Sequence, residues 1–149
     1  MNTMVQVSVI MGSESDRTLG EKTKAVLEEF NIPHELVVLS AHRNPEALKH
    51  YIDTTRAEIF IAIAGLSAAL PGTIAAQTIR PVIGVPKNVK LGGLDALLSI
   101  AQMPSGIPVA TMGIDNARNG ALMAIHILAT KNDKLKKKIH EYREKRART

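Results

Sequence analysis

A chain of 149 residues with 45% apolar composition can bury one substantial core and is too short for two ordinary domains. It has no cysteine, which excludes disulfides, thiolate nucleophiles and zinc–thiolate sites, fits a reducing compartment and makes the cytoplasm the expected location. The formal charge of +5 is local: residues 131–149 hold nine Lys and Arg against three acids, the preceding 130 hold ten against eleven, and two Phe, two Tyr and no Trp offer few stacking platforms for nucleic acid.

Val5 to Met11 is a β-branched run that stops at Gly12, and the segment after it carries Leu19, Val26, Leu27 and Phe30 at helical spacing. The strand–turn–helix unit recurs four times: His34–Leu39 with Pro45–Thr54, Ile59–Ala64 with Leu70–Gln77, Val82–Val85 with Leu94–Ala101, and Val109–Met112 with Ala117–Leu128. Short, continuously apolar strands are expected to be buried on both faces, which calls for helices above and below a parallel sheet. With right-handed crossovers the expectation is an α/β, flavodoxin-like three-layer sandwich with five parallel strands in the order 2-1-3-4-5. Residues 1–130 are expected to form this unit, and residues 131–149 to add a basic C-terminal helix to the same domain. Leu135, Ile139 and Tyr142 make a narrow apolar stripe on that helix, and such a stripe needs a partner surface. No apolar run approaches the length of a membrane span and no targeting signal opens the chain, so no membrane partner is expected.

Ligands of open parallel sheets bind beyond the carboxyl ends of the strands, so chemistry is sought in the loops there. The first loop places Ser13 and Ser15 at a helix start, which suits a phosphate and equally makes a capping box with Asp16. Asp16 could accept a ribose hydroxyl or simply complement the helix dipole. Neither a Walker loop nor a dinucleotide-binding glycine pattern is present, so neither ATP nor NAD is indicated. In the second loop Ser40 and Ala41 precede His42 and Arg43: a guanidinium suits a phosphate or carboxylate, and an imidazole facing a pocket is a candidate proton shuttle, although solvated side chains are the alternative for both. The third loop, Gly65-Leu66-Ser67-Ala68-Ala69-Leu70-Pro71-Gly72, is built of small residues between two glycines, allowing backbone close to a ligand or a tight helix–sheet turn. A fourth loop, Pro86 to Gly93, reaches the same edge. His34, His50, His126 and His140 show no ligand spacing and are read as structural, with no metal expected.

Taken in order, MGSESD, SAHRNP, AGLSAALPG, PVIGVP, GLDALLSIAQMPSGIPVAT and NGALMAIHIL resemble the N5-carboxyaminoimidazole ribonucleotide mutase family over roughly Val5 to Lys145. The resemblance implies a substrate whose 5′-phosphate is held at Ser13 and Arg43 with help from Ser15 and Ser40, and whose ribose is held at Asp16. Gly12, Ala41, Ala64, Gly65, Leu66, Ser67 and Leu70 complete the implied substrate pocket, and the family's essential histidine falls on His42. The implied reaction belongs to purine biosynthesis: the N-carboxylate leaves as CO2, is trapped, and is attacked by C4 of the aminoimidazole, after which His42 takes the C4 proton. It needs no cofactor. Because neutral CO2 is held by little except confinement, a closed pocket is expected.

The third loop departs from the family's usual G-G-A-A-H-L-P-G: Leu66 and Ser67 stand where Gly and Ala are usual, and Ala69 replaces a histidine. Ser67, Ala69 and Leu70 lean toward a sister branch that carboxylates aminoimidazole ribonucleotide directly with CO2, whereas Arg43, Pro45, Leu94, Asp95 and Gln102-Met103-Pro104 follow the mutases. Direct carboxylation is therefore the alternative reaction, and a non-catalytic phosphoribosyl-nucleotide binding protein is the alternative of another class. The family resemblance also implies a homo-octamer, with the C-terminal helix packed on a neighbouring subunit.

Overall fold

The computed structural model describes residues 4–149. Five strands, β1 (Val7–Met11), β2 (His34–Val38), β3 (Ile59–Ala64), β4 (Val82–Pro86) and β5 (Ala110–Thr111), form one sheet in the order β2-β1-β3-β4-β5. Every pairing is parallel. The flavodoxin-like topology expected from the repeated strand–helix units is the one observed. Met11 stands opposite Val38 on one side and Ile63 on the other, and Ala64 stands opposite Pro86, so four strands end nearly level. That common edge is where the loops gather.

Side-chain alternation along the central strands divides the core. Val7, Val9 and Met11 of β1, with Ile59, Ile61 and Ile63 of β3, pack under α1 (Arg17–Glu29) and α5 (Ala117–Ala129). Ile10, Phe60 and Ala62 point to the other face, beneath α2 (Pro45–Thr54), α3 (Leu70–Ala75) and α4 (Leu94–Ala101). Burial of each aliphatic side chain contributes on the order of 1.5–3 kcal/mol, and both faces of β1, β3 and β4 benefit.

The two edge strands differ from the expectation of burial on both faces. Strand β2 is half-buried throughout and β5 is a two-residue strand with Ala110 exposed. Their place in the order explains this, since each has a neighbour on one side only. On β2, Glu35 accepts a hydrogen bond from the Tyr51 hydroxyl, which in turn lies 2.6 Å from Ser8 Oγ on β1. Burial, and then the Glu35 carboxylate, push the Tyr51 phenol well above its ordinary range, so it stays a donor.

Arg80 fixes the far end of α2. Its guanidinium donates to the carbonyls of Ile52 at 2.6 Å, Thr55 at 3.0 Å and Ala57 at 2.9 Å, and it lies 4.6 Å from the Phe60 ring centroid. Carbonyls at a helix C-terminus have no partner within the helix, and one planar cation here answers the last turn and the chain leaving it.

The C-terminal helix α6 (Asp133–Ala147) packs on the core of its own chain. Its apolar stripe finds a surface on its own chain: Leu135 is buried in the core, Ile139 and Tyr142 pack against it, and the Tyr142 ring lies 5.4 Å from that of Phe30. The stripe is thus partly covered within its own subunit, with Ile139 and Tyr142 keeping some exposed surface. Among the described residues, no helix is long and apolar enough to cross a membrane.

Candidate active site

At the carboxyl edge of β1, β2 and β3 lies a cavity of about 440 Å³. Every residue singled out from the three loops lines it: Gly12, Ser13, Ser15 and Asp16 from the first, Ser40 to Arg43 from the second, and Ala64 to Ser67 with Leu70 from the third. Three segments more than twenty residues apart in sequence thus share one concave surface, because parallel strands of matched register deliver their loops to the same side.

The first loop is shaped by capping. Ser13 Oγ accepts the Ser15 backbone N–H at 3.3 Å and the Ser15 hydroxyl at 3.1 Å, and Asp16 Oδ2 accepts the Ser13 N–H at 3.0 Å. A three-residue 3-10 turn, Glu14–Asp16, follows, and the α-helix begins only at Arg17. This changes the anion site expected at a helix start. The Ser13 and Ser15 N–H groups are already engaged, so an anion here meets the Ser13 hydroxyl proton and the Arg43 guanidinium instead. Arg43 is well placed for it, because its Nη2 reaches across to the Gly12 carbonyl at 3.2 Å.

Buried Ser40 organises the second loop. Its Oγ accepts the backbone N–H groups of His42 at 3.2 Å and Arg43 at 3.1 Å, while the Asn44 N–H returns to the Ser40 carbonyl at 2.9 Å. Pro45 then starts α2 at a position that needs no amide hydrogen. The result is a rigid turn that presents the His42 and Arg43 side chains, both solvent-accessible, to the cavity.

Asp16 is the buried charge of the site, with 4% of its surface exposed. Burial pushes its carboxyl up from the ordinary range, while the nearby Lys87 ammonium, and then the Ser13 N–H, pull the other way. Lys87 Nζ stands 3.5 Å from Asp16 Oδ1.

The third loop explains its own glycine. A Cβ on Gly65 would stand 2.4 Å from Val89 Cγ2, so a larger residue here would require the Val89 side chain to move away from the third loop. Val89 lines the cavity, and Lys87 borders it through Asp16, yet neither was assigned from sequence. The only signal for them was the position of Pro86 to Gly93 at the ligand-bearing edge.

The expected closed pocket is not what a single chain makes. Leu66 is 64% exposed and Val89 45%, and His42 and Arg43 face solvent at the mouth. Four loops wall the cavity on the sheet side only, leaving its outer side open.

Comparison with known proteins places this geometry. The AIR carboxylase family profile matches residues 6–149. The chain belongs to the AIR carboxylase family. It is 53% identical over 139 residues to an N5-carboxyaminoimidazole ribonucleotide mutase of Methanocaldococcus jannaschii, covering 93% of this chain and 88% of that protein. A mutase of the same name from Pyrococcus abyssi is 52% identical over 145 residues, covering 95% and 83%. The crystal structure of Treponema denticola PurE superposes with a TM-score of 0.86 at 30% identity, covering 96% of this chain and 92% of the other. The family resemblance seen in the ordered sequence motifs is thereby established.

Proposed function

We propose that this chain converts N5-carboxyaminoimidazole ribonucleotide into 4-carboxyaminoimidazole ribonucleotide, a carboxyl-transfer step of purine biosynthesis carried out in the cytoplasm. The observation that carries the reading is the single cavity in which His42, Arg43, Ser13 and Asp16 converge, in a chain half identical to proteins named as mutases of this nucleotide.

Each group has a task that its surroundings support. Arg43 and the Ser13 hydroxyl hold the 5′-phosphate, with Ser15 and Ser40 fixing the turns that carry them. Asp16 accepts the ribose hydroxyls. The bond between the exocyclic nitrogen and the carboxyl carbon breaks, its electron pair stays on nitrogen, and CO2 is released into the space bounded by Ala64, Gly65, Leu66 and Ser67. C4 of the ring, made nucleophilic by the freed amine, attacks the CO2 carbon. His42 then removes the C4 proton, which restores the aromatic ring, and the proton returns to the amine side through solvent. General-base assistance of this kind contributes about 10² to 10⁴ in rate. The scheme calls on no cofactor.

Retention of CO2 requires a cover over the open side of the cavity, which supports a homo-octamer in which a neighbouring copy supplies it. Leu91, Leu94, Leu98 and Ile79 stand exposed on the surface and offer apolar area for such contacts.

The test is turnover of N5-carboxyaminoimidazole ribonucleotide compared with aminoimidazole ribonucleotide plus bicarbonate. A higher kcat/KM for the first is expected. Preference for the second would assign direct carboxylation, and binding without turnover of either would leave a nucleotide-binding protein.

A further inference from the structure

Lys87 opens the loop after β4, and its contacts run to two other loops. Its backbone N–H donates to the Ala64 carbonyl at 2.9 Å, and its own carbonyl and Cβ stand 3.4 and 3.5 Å from the point where a Gly65 side chain would begin. The side chain crosses the sheet edge in the other direction. Nζ donates to the Ser15 carbonyl and lies 3.5 Å from Asp16 Oδ1. The two Asp16 oxygens are therefore held separately, Oδ2 by the Ser13 N–H and Oδ1 by the ammonium.

We propose that Lys87 is a positioning residue that holds the Asp16 carboxylate ionised and oriented toward the sugar of the bound nucleotide. The inference rests on the reading that Asp16 receives the ribose hydroxyls. A carboxylate this buried, without a cation, would turn toward its neutral form and lose acceptor strength. Among the described residues, no other cation is paired with it. Arg17 on the adjoining turn is engaged by Glu14 at 2.7 Å, Arg43 from the β2–α2 loop is bonded to the Gly12 carbonyl, and His42 lies on the same cavity wall with no hydrogen bond to Asp16. Lys87 is itself largely shielded, with 22% of its side chain exposed, so solvent screens the pair only partly.

The experiment compares wild type, Lys87→Met, Lys87→Arg and the double variant with Asp16→Asn. In K87M the KM for N5-carboxyaminoimidazole ribonucleotide is expected to rise about tenfold or more with kcat within about threefold, the signature of lost binding common to ground and transition states. The acid limb of kcat/KM moves to higher pH, because Asp16 protonates earlier without its cation, and K87R restores both. Adding K87M to D16N changes KM by less than about twofold, since the residue through which Lys87 acts is already neutral. Unchanged KM and acid limb in K87M, or full additivity in the double variant, would overturn the proposal. The Asp16 carboxyl carbon, followed by NMR titration in wild type and K87M, gives a reading independent of turnover. Titration at the same pH in both rejects the role of Lys87 even if the enzyme is active, whereas an upward move in a protein that turns over neither substrate spares it and rejects the function.

Discussion

The Ser40 hydroxyl oxygen and the His42 backbone nitrogen lie 3.2 Å apart, and the same oxygen takes the Arg43 N–H at 3.1 Å. One buried atom therefore sets the direction of both the proposed base and the proposed phosphate ligand. Replacing Ser40 by Ala leaves two amides without that acceptor and is expected to cost about 1–3 kcal/mol in urea unfolding. Because a misplacement of about 1 Å can lower a rate by about a hundredfold, kcat/KM should fall by at least tenfold. An S40A enzyme with wild-type kinetics would show that the turn is held by other contacts.

Removing the imidazole separates chemistry from binding. His42→Asn should lower kcat by about 10² to 10⁴ while calorimetry finds the affinity for 4-carboxyaminoimidazole ribonucleotide within about threefold of wild type. Full turnover by H42N would take the proton-transfer role away from this residue.

Contact between the third and fourth loops sets a steric test. Gly65→Ala puts a methyl group 2.4 Å from Val89 Cγ2 and is expected to reduce kcat/KM strongly. Trimming the opposing side chain in Val89→Ala should recover much of that loss in the double variant, giving a coupling of about 1 kcal/mol or more in a double-mutant cycle. Independent effects of the two changes would mean that the loops do not meet in solution.

Asp16 links the site to stability. Because burial raises its carboxyl in the folded chain, the folded state holds a proton at pH values where the unfolded state has released it. Wild-type stability attributable to this group is therefore lowest at neutral pH and recovers as pH falls through the folded value toward the ordinary aspartate range. Asp16→Asn, which can keep an acceptor for the Ser13 N–H, lacks this dependence. Its stability relative to wild type should be most favourable at pH 7 and decline by pH 4 in parallel denaturant melts. A D16N variant that gains stability relative to wild type as pH falls would reverse the assigned sign.

The tail gives a fifth test. Leu135→Ala removes a side chain that is 7% exposed in the main core and should cost about 2–4 kcal/mol. Deletion of residues 131–149 uncovers Phe30 and should destabilise the subunit itself. A truncated chain of undiminished stability would show that the helix does not complete the core.

Much of this architecture is legible in the residues because periodicity reports local structure directly. Ile59 to Ala64, short, continuously apolar and rich in isoleucine, reads as a strand buried on both faces, and it stands at the sheet's centre. Edge strands are harder: His34 and Glu35 are polar, and their half-burial follows from a position in the sheet that composition does not encode. At the site, Ser13, His42 and Arg43 stand out by residue type beside strand ends. Lys87 and Val89 do not, since an ordinary lysine and valine acquire meaning only once Asp16 and Gly65 are seen opposite them. The stripe on α6 was visible too, but periodicity says that a face is covered without saying by which molecule.

Arg80 carries a consequence for catalysis at a distance. Its grip on the carbonyls of Ile52, Thr55 and Ala57 anchors the distal end of the rod whose proximal end is the His42–Arg43 turn. A lever clamped at its heel cannot recoil when its tip is pushed, so the proposed base would meet an incoming nucleotide against a stiff backing.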